Sequence, residues 1–98
     1  VSENQPDKNE EYVLVNITEQ VVREKAKEMM AEYDMCRCPK CYCDVCAIAL
    51  KRLPSQYATT KKGELLEMVE ASRLQYKASL VVSVLKAIGK VKDSPQHG

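Results

Sequence analysis

The sequence predicts a mainly all-α fold: a small domain of three to four helices, with an irregular cysteine-rich metal-binding loop and one short strand near residues 56–59. Three observations carry this. Apolar residues recur at helical spacing over much of residues 17–91, as in helices that bury one face. Five cysteines fall within residues 36–46 and none elsewhere, three of them as Cys36-x-Cys38-x-x-Cys41. The chain has 98 residues, with neither Phe nor Trp. Its core must therefore be aliphatic, and a domain this short buries only about 60–65% of its unfolded surface. A metal or a second copy would reinforce such a core.

Residues 1–11 are polar, acidic and interrupted by Pro6, which predicts a disordered tail ahead of a single domain over 12–97. Residues 12–15 form a short apolar lead-in. Asn16 then has the character of a helix cap, and Glu19, three positions on, is placed to reach back to it. Ile17, Val22, Ala26, Met29, Met30 and Tyr33 mark the inner stripe of a first helix over about 17–33. Pro39 keeps the cysteine segment from being helical throughout. A second helix should run from about Tyr42 to Arg52, with Tyr42, Val45, Ala49 and Leu53 inward, and stop before Pro54.

Residues 55–59 should be extended, and a strand at 57–59 offers an edge for antiparallel pairing between two copies. A long helical pattern follows over about 62–91, with Leu65, Val69, Tyr76, Leu80, Val84, Ile88 and Val91 in its stripe. Thirty helical residues would span roughly 45 Å, more than a domain of this size is wide. Either the pattern breaks near Ser72, or its far part packs on a second chain. Residues 80–88 are apolar on more than one face, which favours a homodimer. Gly89 and Pro95 are the expected stop signals.

Charge is uneven although the formal net charge is only +1. Residues 37–63 hold Arg37, Lys40, Lys51, Arg52, Lys61 and Lys62 against Asp44 alone, a surface suited to an anionic partner. The near-neutral total and the acidic start argue against direct nucleic-acid binding. No apolar run approaches the ~18 residues that span a membrane, and no signal-peptide pattern opens the sequence. The expected compartment is the cytoplasm, where thiols stay reduced and clustered cysteines favour metal over disulfides.

Cys38/Cys41 and Cys43/Cys46 each have the C-x-x-C spacing that lets one turn present two sulfurs to one ion. Structural zinc through Cys36, Cys38 and Cys41 is the expected state, with oxidation-sensitive thiols as the competing one. The fourth ligand is His97, or else Cys43 or Cys46. An enzyme is not expected. The one His lies in the tail, and no nucleophile elbow or phosphate-binding loop is present.

Several stretches resemble the ComFB (late competence) family in order and spacing. They are Val15-Asn16-Ile17-Thr18-Glu19, Cys36-x-Cys38-x-x-Cys41-x-x-Asp44-Val45, Ala47-x-Ala49-Leu50-x-x-Leu53-Pro54-x-x-Tyr57, and the closing Ser94-Pro95-x-His97. The resemblance implies a small helical, often dimeric protein with cysteine-bound zinc. Some members are receptors for the bacterial second messenger cyclic di-GMP, linked to competence, pili and motility. It also implies Cys36, Cys38, Cys41 and His97 as zinc ligands. Lys51, Ser55 and Gln56 depart from the family's frequent N-x-L-P-P-R-Y.

A site for cyclic di-GMP needs cations for phosphate, a ring for stacking and donors that read guanine. Arg52, Tyr57, Thr59, Lys61 and Lys62 are the candidates, with residues 60–63 as a phosphate cradle at a helix start and Gly63 giving the backbone a close approach. The alternative function is a zinc-stapled adaptor with no nucleotide site, acting on a downstream protein.

Overall fold

The computed structural model of the chain describes residues 12–71 and 74–93, with side chains for all of these except 74 and 75. The expected acidic tail, the break near Ser72, and Ser94, Pro95 and His97 lie outside the described residues. In chain order the elements are β1 (Tyr12–Asn16), α1 (Ile17–Glu32), α2 (Pro39–Leu50), β2 (Tyr57–Thr60), α3 (Lys61–Ala71) and α4 (Leu74–Asp93). The mainly helical class and the brief strand at β2 are as the sequence predicts, whereas β1 is a second strand that it does not. No described helix is long and apolar enough to cross a membrane.

The strands pair within the chain, where the sequence suggested an edge for pairing between two copies. β1 runs antiparallel to β2, with Tyr12 opposite Thr60, Val15 opposite Ala58 and Asn16 opposite Tyr57, and one register shift between Tyr12 and Val15. The apolar lead-in is therefore a strand, and alternation explains why: Ala58 is buried while Leu14 and Tyr57 stay exposed. Each strand runs directly into a helix, and the two junctions are tied together. Ile17 N–H donates to Gln56 O at 2.7 Å, and the buried Thr18 hydroxyl donates to Pro54 O at 2.7 Å.

Asn16 caps α1 as expected, its Oδ1 accepting from Glu19 N–H at 3.1 Å. The reciprocal half of the capping box is not formed. Glu19 turns forward instead and pairs with Arg23 at 2.9 Å, the neighbour one turn along the same face. Tyr33 ends the helix, donating its N–H to Met29 O at 3.1 Å. Asp34 follows at φ 48°, the left-handed conformation that short polar side chains tolerate best. That turn sends the chain back toward the cysteines.

α2 begins earlier than the sequence suggests. Pro39 occupies the first turn with Cys38 as the N-cap, a position where a missing N–H and a fixed φ suit a helix start. The helix gives way to i→i+3 bonds from Arg52 to Ala49 and Leu53 to Leu50, ahead of Pro54. α1, α2 and α4 enclose one aliphatic core: Val22, Ala26, Met29 and Met30 meet Cys41, Val45 and Ala49, and Leu80, Val84, Ala87, Ile88 and Val91 close it. Each fully buried large side chain here contributes about 1.5–3 kcal/mol.

The long helical pattern is carried by two helices, α3 and α4. Its N-terminal part is not core: α3 buries only Ala71, leaving Leu65 at 69%, Leu66 at 59% and Val69 at 65% exposure. Gly89 does not end α4, which continues to Asp93. A Cβ at Gly89 would meet nothing within 4 Å, so no turn or close contact requires glycine there.

Candidate functional site

The loop between α1 and α2 gathers three thiols. The Sγ atoms of Cys36, Cys38 and Cys41 all lie within 4.8 Å of one another. They grade from surface to core: Cys36 is exposed, Cys38 half-buried and Cys41 buried. Cys41 sits in the first turn of α2 facing the core, Cys38 caps that helix, and Cys36 arrives from the Asp34 turn. None of the five cysteines forms a disulfide.

The electrostatics of the triad are graded too. Cys41 N–H donates to Cys38 Sγ at 3.4 Å. That amide, with a hydrogen bond from Cys36, holds the Cys38 thiol below its ordinary value. Burial pushes the Cys41 thiol up to about 12, and the neighbouring Cys38 and Cys36 add to the shift. Cys38 thus ionises more readily than Cys41.

Three soft donors at this separation fit three corners of a tetrahedral thiolate site, whose sulfurs stand about 3.8 Å apart for Zn–S bonds near 2.3 Å. The triad could therefore hold a metal ion. Bound there, the ion would supply charge compensation and a cross-link between loop and helix. Cys43 and Cys46 do not join the triad. Cys43 points to solvent and Cys46 is 8% exposed within the core cluster, so neither supplies a fourth sulfur at this separation. His97 lies outside the described residues.

The candidate ligand residues divide between two places. Tyr57 and Thr59 lie on the exposed face of β2, and Lys61 and Lys62 are the first two residues of α3. Arg52 lies in the turn after α2, bordering a groove of ≈ 380 Å³ with Leu53, Ala78, Ser79, Val82 and Ser83. That groove includes none of the other four. At the α3 start, Gly63 N–H donates to Thr60 Oγ1 at 2.9 Å. A Cβ at Gly63 would come within 3.0 Å of the same oxygen. Gly63 thus serves the cap, and its N–H is not directed outward as a phosphate cradle would require. Lys61 lies 3.9 Å from Glu64.

Sequence reading missed a third feature. Lys27, Met30, Arg37, Pro39 and Tyr42 line a cavity of ≈ 430 Å³ between α1 and the start of α2. Arg37 was visible as part of the basic stretch. Lys27 reads from sequence as one more solvated lysine on α1, and only the fold brings the two together.

Residues 15–95 match the family described as late competence development protein ComFB. The fold is similar to that of a solved structure, the late competence protein ComFB from Bacillus subtilis. The two share 28% identity with a TM-score of 0.73, over 86% of this chain and 96% of that one. No curated protein sequence matches the chain.

Proposed function

The chain belongs to the ComFB family of late competence development proteins, and from that premise we propose a non-enzymatic, cytoplasmic signalling protein that binds cyclic di-GMP. In this reading it is linked to competence, pili or motility and carries a structural zinc. One observation carries the ligand assignment. Tyr57 is 61% exposed on the same face of β2 as Thr59, directly ahead of Lys61 and Lys62. The ring is available to stack on a guanine and the lysines to meet a phosphate, while Arg52 can read a guanine edge. Because Thr60 takes the Gly63 amide, phosphate contact falls to side chains.

Calorimetry with cyclic di-GMP tests this, with GTP as control and Arg52→Ala and Tyr57→Ala alongside. Micromolar binding lost in the variants supports the receptor reading. No heat from the folded, zinc-loaded protein removes it.

Zinc is assigned to Cys36, Cys38 and Cys41, with His97 as the fourth ligand. Support for His97 comes from the end of α4, where Lys92 Nζ donates to Tyr33 O at 3.3 Å, next to the cysteine loop. His97 lies four positions beyond Asp93, a reach of roughly 14 Å when extended. Metal analysis of His97→Ala, showing weaker zinc retention than the parent, is the check.

A second reading is favoured by exposed apolar side chains: Leu65, Leu66 and Val69 on α3, and Val82 and Leu85 on α4. Patches of this kind mark interaction surfaces. They suit a homodimer, and an adaptor contact with a downstream protein if no nucleotide binds. Sedimentation of Leu66→Glu against the parent tests the dimer, and an unchanged mass would remove α3 from it.

A further inference from the structure

The cations of α1 and the cysteine loop sort into two groups. Arg23 pairs with Glu19, Lys25 with Glu28 and Lys40 with Asp44, at 2.9, 3.2 and 2.8 Å. Lys27 and Arg37 have no ion pair among the described residues. These two border the same ≈ 430 Å³ cavity, whose other walls are Met30, Pro39 and Tyr42. That volume falls within the range of small-molecule sites, about 300–1,000 Å³.

The remaining walls are largely apolar. Met30 is 1% exposed and forms the floor. The Tyr42 hydroxyl donates to Arg23 O at 3.3 Å, and Lys27 Nζ stands 5.8 Å from the Tyr42 ring centroid. Pro39 adds a flat, donor-free surface. The first amides of α2 are already committed, since Cys41 N–H turns to Cys38 Sγ and Tyr42 N–H to Cys38 O. Among the described residues lining the cavity, the two side-chain cations are left to meet a negative charge.

We propose that this cavity binds a small planar organic anion: an aromatic ring bearing a phosphate or a carboxylate. The charge sits between Lys27 and Arg37, and the ring lies over Met30 between Pro39 and Tyr42. An inorganic anion would gain only the charge and a neutral ring only the apolar contact, so selectivity for the combination is the signature. The site shares no residue with the proposed cyclic di-GMP surface, so either can fail without the other.

The test is a ¹⁵N NMR titration of the zinc-loaded protein with 1-naphthyl phosphate and 1-naphthoate, against inorganic phosphate and 1-naphthol. At least one naphthyl anion should give saturable shifts at Lys27, Met30, Arg37 and Tyr42. Which of the two binds more tightly tells phosphate from carboxylate as the preferred group. Phosphate and naphthol alone should bind about tenfold more weakly or worse, as expected when a charge-assisted contact or the apolar contact is missing. Lys27→Ala and Arg37→Ala should each weaken binding about tenfold, whereas Arg52→Ala should not change it. Both cations are exposed, and unchanged far-UV circular dichroism confirms that the variants fold. Naphthol binding as tightly as the anions, shifts confined to another surface, or variants with parental affinity would each overturn the proposal.

Discussion

Thr18→Val removes one hydrogen bond while keeping the shape of the side chain, and its effect can be worked from the structure. Thr18 is 1% exposed, and its hydroxyl donates to Pro54 O at 2.7 Å across 36 positions of sequence. Valine deletes the donor and leaves the carbonyl short of a partner. The lost bond is worth about 1 kcal/mol, and an unsatisfied buried acceptor costs about 1–3 kcal/mol. Pro54 is itself exposed, so water can reach the carbonyl and the total falls near the lower end, about 1.5 kcal/mol. For a domain of this size that is a fall in Tm of about 6–12 °C. Thermal and urea unfolding of the protein, followed at 222 nm, measures it, and the urea m-value should not change. Thr18→Ser is the control, since it keeps the donor and loses one methyl, about 0.8 kcal/mol. The reasoning is refuted if Val costs less than Ser, because the methyl and not the bond would then hold the junction.

Other expectations follow from the same structure. Zinc binding should release protons and weaken as pH falls below about 7, because thiols must ionise to ligate. Isothermal titration in two buffers of different ionisation enthalpy reads the protons. Ser at 36, 38 or 41 should abolish stoichiometric zinc, whereas Cys43→Ser should leave one ion per chain by metal analysis. In the chelated protein the Cys41 thiol is raised from 9.0 to about 12, so the folded state holds that proton more tightly than the unfolded chain. Its contribution is full below about pH 9 and is lost as pH rises toward 12. Chelated protein should therefore unfold at lower urea at about pH 10 than at pH 8. Gly89→Ala should stabilise by about 0.5–1 kcal/mol, since α4 runs through that position with open space around it. Asp34→Val should cost about 1–2 kcal/mol, since φ is 48° there.

Where one periodicity dominated, the sequence was legible. Ile17, Val22, Ala26 and Met30 repeat at helical spacing, and all are buried. The thiol triad was legible because Cys36, Cys38 and Cys41 are close in sequence, so a local turn suffices to gather them. The start of α2 was misplaced because Pro39 was weighed as a breaker, although in a first turn it is a helix starter. Leu65 and Val69 continue the same repeat as Leu80 and Val84 yet stay exposed. Periodicity shows which residues share a face, but not whether that face has anything to pack on. The Lys27–Arg37 cavity was invisible for a related reason: its walls come from two helices joined by a turn that only Asp34's backbone makes.

Cys38 faces in two directions at once. The same sulfur caps the first turn of α2 and stands in the thiol triad, and this narrows what can replace it. Serine would keep the cap and lose the soft donor that a metal would use, and histidine would keep a donor and lose the cap. Aspartate would satisfy the amide and offer an oxygen, but a harder donor turns the preference toward harder cations. No other common side chain meets both demands, so position 38 should resist sequence drift. Cys43, exposed and outside the triad, carries neither demand. Among relatives, it is the cysteine whose replacement this fold would notice least.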